Sequence, residues 1–215
     1  MDENQKSWDL VTFENFAKKS VQIIPKFKYL YLFIIIYIFA GTHSIVSGNN
    51  LAVYFQLSGK KFGQLALILL GTVVTPGILG RFGVEIKLTI IITLFRRQLG
   101  ITVFLLAFTH YFFVRLLPRL QGQIPWKPPY PIFELMGMSA FFILFLMFLT
   151  SNNFSKKKLG RWWKILHRFV YLAIWLLVFH TGLQRISIWT FFIFTFAVLE
   201  VVSWIYYWNL KKKAI

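Results

Sequence analysis

The sequence predicts an all-α membrane protein: a polytopic bundle of six transmembrane helices with both termini on the cytoplasmic side. Three observations carry that expectation. First, 57% of its 215 residues are hydrophobic, against roughly 45–50% in a soluble domain. Second, the excess is gathered into six runs, each long enough to cross about 30 Å of hydrocarbon at about 1.5 Å per residue. Third, the formal net charge of +17 sits between those runs and mostly on one side of them.

Residues 1–25 form a cytoplasmic or interfacial segment. Trp8, Val11, Phe13, Phe16 and Val21 recur at helical spacing beside Lys18 and Lys19. Either an amphipathic helix on the membrane surface or a loose tail accommodates them. Residues 26–210 hold the spans, expected at 27–46, 62–80, 97–117, 132–150, 163–183 and 187–208, and 211–215 form a basic cytoplasmic tail. The first run ends in Thr42-His43-Ser44 without a small-x-small cleavage site, so a removable signal peptide is not expected. The second run contains Thr75-Pro76, which predicts a kink. Between the third and fourth, Pro125, Pro128 and Pro129 predict a stiff extracytoplasmic loop over 118–131. Glu134, at the start of the fourth run, reads as an interfacial charge. Only Gln184-Arg185-Ile186 separates the fifth run from the sixth. Glu200, inside the sixth, either pairs with a basic neighbour or relays protons. The Trp and Tyr cluster at 204–208 reads as an interfacial belt.

With the N-terminus inside, eighteen of the twenty-four Lys and Arg residues fall on the inner side, leaving Lys60, Lys61, Arg115, Arg119, Lys127 and Arg185 outside. This positive-inside bias predicts a multi-pass protein of the plasma (inner) membrane. It also makes the lipid bilayer, not nucleic acid, the partner of the basic charge. The absence of cysteine excludes disulfides, iron–sulfur clusters and thiol catalysis. There is no solenoid repeat and no Gly-rich phosphate loop. The chain closes five residues after Asn209-Leu210, so an appended nucleotide domain is not expected.

Ionisable groups within lipid are costly and therefore informative. His110 lies late in the third run; His167 and His180 lie near the start and end of the fifth. Both runs cross in the same direction, so His110 and His180 share one depth. Two imidazoles so placed can ligate a haem iron from both faces. His167 precedes His180 by thirteen residues, about 20 Å along a helix but about 140° away in azimuth. Sharing one face would require tilt or a helix distortion. Opposite His167 on the third run stand Arg96 and Arg97; Arg96 lies nearly on the face of His110, fourteen residues on. Arginine suits haem propionates or a flavin phosphate better than iron. The inner position thus fits a haem with one histidine, a flavin such as FMN, a quinone, or nothing. The plain alternative for each histidine is an interhelical hydrogen bond, and His43, at a span end, is read that way.

Two stretches carry a resemblance. Arg96-Arg97-Gln98-Leu99-Gly100 followed by Phe108-Thr109-His110, and Leu149-Thr150-Ser151 followed by Leu159-Gly160-Arg161-Trp162-Trp163-Lys164-Ile165-Leu166-His167-Arg168-Phe169-Val170-Tyr171, resemble the ferric reductase-like transmembrane family. Val74-Thr75-Pro76 matches the end of that family's second span, and the resemblance covers about residues 30–208. Within the family, the chain resembles the haem-binding membrane subunit (MsrQ-like) of methionine sulfoxide reductase systems. The resemblance implies a six-helix bundle with one or two haem b groups, the iron being held by His110, His180 and His167. Its electrons would come from a cytoplasmic flavin reductase or the quinone pool and go to an extracytoplasmic oxidoreductase subunit that reduces methionine sulfoxide. In the ferric reductase and oxidase branches the third span carries two histidines, and a flavin–nucleotide domain follows the last. Here Arg96 stands where the first of those histidines would fall.

Two other readings stay open: a membrane reductase of ferric or cupric ions or of oxygen, and a non-redox scaffold or transporter whose histidines only pack.

Overall fold

A computed structural model describes residue 19, residues 22–84 and residues 86–213. The surface-helix reading of Trp8 to Val21 lies outside the described residues. Six helices long and apolar enough to span a membrane run through the rest, and no strand occurs among the described residues. The chain is a multi-pass membrane protein. Six crossings bring both ends of the described chain out on one side, the terminal side.

A 3₁₀ turn, Ile24–Lys26, leads into α1 (Phe27–Val46). Then come α2 (Ala52–Arg81), α3 (Lys87–Tyr111), α4 (Ile132–Leu149), the short α5 (Asn153–Leu159), α6 (Arg161–Arg168), α7 (Val170–Gln184) and α8 (Ile188–Lys213). Helix α2 lies along α3, α4 along α7, and α8 against both α7 and α2, while α1 covers α2 and α3 from outside. The core lies where these faces meet, at Val74, Val103, Ala140, Ile174, Ile193 and Ala197. Large apolar side chains such as Phe33 and Phe39 point outward, as lipid contact requires. With no hydrophobic drive between helices in lipid, close approach depends on small residues. Gly71 of α2 accepts the ring of Phe196, and Gly41 of α1 that of Phe113, and a Cβ would come within 2.7 Å and 2.6 Å of those rings.

Several elements differ from the sequence expectation. Helix α2 begins at Ala52 and α3 at Lys87, each ten residues before the expected span. Lys60 and Lys61, or Arg96 and Arg97, break the apolar run but not the backbone hydrogen bonding. Helix α2 runs through Pro76 to Arg81, where Thr75 Oγ1 donates to Gly71 O at 2.8 Å. Beyond Tyr111, α3 widens into a π turn, Phe112–Leu116, followed by a helical turn, Leu117–Leu120. The fifth span is interrupted at Phe169, whose N–H bonds back only three residues, to Leu166 O at 3.0 Å. The ideal-helix azimuth between His167 and His180 therefore does not apply.

Glu134 corrects the sequence reading. It is a buried residue, not an interfacial charge, and it accepts a hydrogen bond from Arg119 Nη2 with Arg115 Nε at 3.7 Å from its other oxygen. Arg119 is itself 4% exposed and packs against the rings of Trp126 and Tyr130. The turn after α3 brings both arginines over the start of α4, and hydropathy gives no sign of that return. Glu200 takes one of its two expected roles: Arg81 Nη1 donates to its Oε1 at 3.2 Å and to Ser203 Oγ at 3.0 Å, while Arg81 stacks on Tyr171 and Trp204.

Candidate functional site

Two cavities open inside the bundle, one toward each membrane face. Leu70 of α2, Val103 of α3 and Leu144 of α4 line both. All three are buried. They form an apolar septum between the cavities.

On the side away from the termini, a cavity of about 700 Å³ holds His110 and His180. Its size falls within the roughly 300–1,000 Å³ of ordinary ligand clefts. The two ring centres lie 6.4 Å apart with planes at 75°. Each Nδ1 faces a backbone carbonyl of the neighbouring helix: His110 toward Gly59 O at 2.9 Å, His180 toward Phe133 O at 2.7 Å. A carbonyl only accepts, so both Nδ1 atoms donate and both Nε2 atoms are left with a bare lone pair. That is the protonation state a metal ligand needs. A metal–imidazole bond of about 2.0 Å on each side, added to the step from ring nitrogen to ring centre, puts two ring centres about 6–6.5 Å apart across one ion. Among the described residues no group of three or more His, Cys, Asp or Glu is placed to hold a metal. Two imidazoles alone would leave the other positions of a metal ion to a macrocycle. The residues fit a haem iron. Phe141, Leu177 and Trp189 supply apolar wall, and Lys60, Arg115 and Arg185 are its cations.

On the terminal side, a cavity of about 840 Å³ holds His167 with Arg96 and Arg97. Arg81, Lys156, Lys164 and Arg168 also line it, and no described Asp or Glu does. His167 stacks on Trp163 at 4.0 Å between ring centres. Its Nε2 lies 3.3 Å from Thr150 Oγ1, and that hydroxyl donates its proton to Leu146 O at 2.8 Å. A hydroxyl both donates and accepts, so Thr150, unlike the carbonyls that face His110 and His180, does not by itself fix the tautomer of His167. Trp163 Nε1 donates to Thr150 O at 3.0 Å, which fixes α6 against the end of α4. Arg97 donates to Asn153 Oδ1 at 2.6 Å, so its head is tied to α5 while Arg96 remains on the cavity wall. Trp204 and Tyr207, expected in an interfacial belt, line this cavity.

The structure thus brings His110 and His180 together, groups His167 with Arg96 and Arg97, and leaves His43 exposed at the end of α1. Sequence reasoning missed the carbonyls of Gly59 and Phe133 and the Thr150 hydroxyl, and it gave Glu200 a basic partner without identifying Arg81. Thr150 stood within a recognised motif; backbone acceptors have no sequence signal.

A six-span helical bundle with an imidazole pair in one cavity and a row of cations in the other defines a class: multi-pass membrane proteins with an internal cavity toward each face. Residues 62–178 match the family described as ferric reductase like transmembrane component, and the chain belongs to that family. It is similar to the protein-methionine-sulfoxide reductase heme-binding subunit MsrQ of Agrobacterium fabrum, with 33% identity over 144 residues, 63% of this chain and 62% of the relative. The proteins of that name from Brucella anthropi and Brucella ovis are each 36% identical over 86 residues, 37% of either chain. The chain thus matches less than two thirds of the length of these relatives.

Proposed function

We propose that this chain is the haem-binding, electron-transferring membrane subunit of an oxidoreductase, with His110 and His180 as the axial ligands of a haem b. The observation that carries the reading is the pair of imidazoles 6.4 Å apart, each with Nδ1 committed to a carbonyl. A bound haem would supply a one-electron carrier. The protein's own groups orient the two rings, set their tautomer, and wall the site with Phe141, Leu144 and Leu177, which keeps water from the iron and tunes its potential. Lys60, Arg115 and Arg185 can pair with propionates.

The positive-inside bias supports a cytoplasmic terminal side, and the reading takes the membrane to be the plasma (inner) membrane. Electrons then enter at the His167 cavity from a flavin reductase or quinol. They leave from the His110–His180 side to an extracytoplasmic oxidoreductase, which the relatives' name suggests is a methionine sulfoxide reductase. Arg81 is neutralised by Glu200, and the five other cations of the His167 cavity favour a phosphate-bearing flavin such as FMN over a neutral quinone. A second haem would need His167 to release Thr150 or to bind through Nδ1.

A pyridine haemochrome assay on purified protein, with a haem-to-protein ratio, tests the reading. One haem b per chain is expected, and none in a His110→Ala, His180→Ala double variant. A colourless wild type would reject a haem subunit, and full haem content in the double variant would reject the ligands.

A further inference from the structure

The two imidazoles are placed by the same local device on two different helix pairs. His110 of α3 donates to the carbonyl of Gly59 in α2, and residue 63, four positions on, is glycine. His180 of α7 donates to the carbonyl of Phe133 in α4, and residue 137, again four on, is glycine. In an α-helix the carbonyl of residue i already accepts from the N–H of residue i+4. Each carbonyl therefore takes a second donor, the imidazole, from the side. The side chain at i+4 would cover that approach, because a helical Cβ leans toward the N-terminus and lies over the turn before its own Cα. A Cβ on Gly63 would stand 2.9 Å from Nδ1 and 3.0 Å from Cγ of His110; one on Gly137 would stand 2.5 Å from Nδ1 and 2.8 Å from Cε1 of His180. The atoms met are ring atoms held on both sides, not the end of a flexible chain. Neither glycine is needed for a turn: both have helical backbone, where glycine costs about 0.5–1 kcal/mol against alanine.

We propose that Gly63 and Gly137 are positioning residues for the imidazole pair: by omitting a Cβ one turn after the acceptor carbonyl, each lets a histidine of the facing helix donate Nδ1–H to that carbonyl and present a bare Nε2 to the cavity. As a tautomer-fixing device this stands on the geometry alone. As a device for holding haem it rests on the proposed function. The two glycines act separately, Gly63 on His110 and Gly137 on His180. The carbonyl bond also raises the basicity of Nε2, so its loss weakens the ligand as well as misplacing it.

The test uses the full chain in detergent or nanodiscs, labelled with ¹⁵N-histidine and reduced. Imidazole nitrogen signals are assigned by removing the four histidines one at a time. Gly63→Ala, Gly137→Ala and, as a control, Gly80→Ala are compared. Gly80 is exposed in α2, and a Cβ there meets nothing within 4 Å. In the wild type, protons on Nδ1 of both His110 and His180 are expected. Gly63→Ala should disturb the His110 signals alone and Gly137→Ala those of His180 alone, each with a haem affinity about 10- to 100-fold lower. Gly80→Ala should match the wild type. Protons on Nε2 in the wild type would overturn the proposal, as would alanine variants whose nitrogen signals and haem affinity match Gly80→Ala. If the variants do not accumulate in membranes, the wild-type nitrogen signals decide. A colourless wild type with Nδ1 protonated would reject the haem reading while upholding the device.

Discussion

The two cavities share three aliphatic side chains yet hold imidazole by different groups. Around His110 and His180 the polar partners are backbone carbonyls of adjacent helices. Each ring keeps its proton on Nδ1, which leaves Nε2 with a bare lone pair. Around His167 the partner is a side-chain hydroxyl, which can donate or accept, and an indole covers one face. Electrostatics there comes from cations: Arg81, Arg96, Arg97, Lys156, Lys164 and Arg168. In the proposed function the first cavity would serve one central atom and the second would receive negative charge. A histidine's presence in a span therefore says less about its use than the atom that receives its N–H.

The largest effect that would break this division concerns spectra. His110→Ala or His180→Ala alone is expected to abolish the low-spin haem signal in electron paramagnetic resonance, whereas His167→Ala leaves it at wild-type intensity. Equal loss in all three would mean that the cavities form one coupled site. Next comes the lid of the first cavity. Glu134→Ala leaves Arg119 buried without its carboxylate, a loss of about 3–5 kcal/mol, seen as a lowered midpoint in a detergent thermal melt, while the His167 environment stays unchanged. Leu144→Ala removes part of the septum at a cost of about 2–5 kcal/mol, and it should perturb probes of both cavities at once. A variant that altered only one would show that the two are not contiguous. The smallest effect belongs to Thr150→Val. Losing the hydroxyl partner of His167 costs about 0.5–1.5 kcal/mol and should shift the His167 nitrogen signals without moving those of His110 or His180.

Much of this was legible in the sequence because a bilayer leaves few choices. Backbone groups in hydrocarbon must be paired within the segment, so long apolar runs report helices directly, and all six spans were placed by them. Span ends were less legible: Lys60 and Lys61, or Arg96 and Arg97, stop an apolar count without stopping a helix. The shared depth of His110 and His180 followed from counting crossings. The interruption of the fifth span at Phe169 was not legible, since nothing in that residue announced it. Glu134 was misjudged because its burial depends on a loop folding back over α4, a long-range event with no local pattern. The tautomers were illegible for a related reason: they are set by carbonyls that every residue carries.

The septum of Leu70, Val103 and Leu144 has a consequence for charge balance. Three aliphatic side chains offer no donor, no acceptor and no titratable group. In the electron-transfer reading, what passes between the cavities is an electron without a proton beside it. Each face of the membrane must then compensate its own redox change, from the ions and titratable groups within its own cavity. Every transfer also moves a net charge through the field across the membrane, worth about 2.3 kcal/mol per 100 mV for a full crossing. The resting potential of the cell thus becomes one of the quantities that sets the direction of flow.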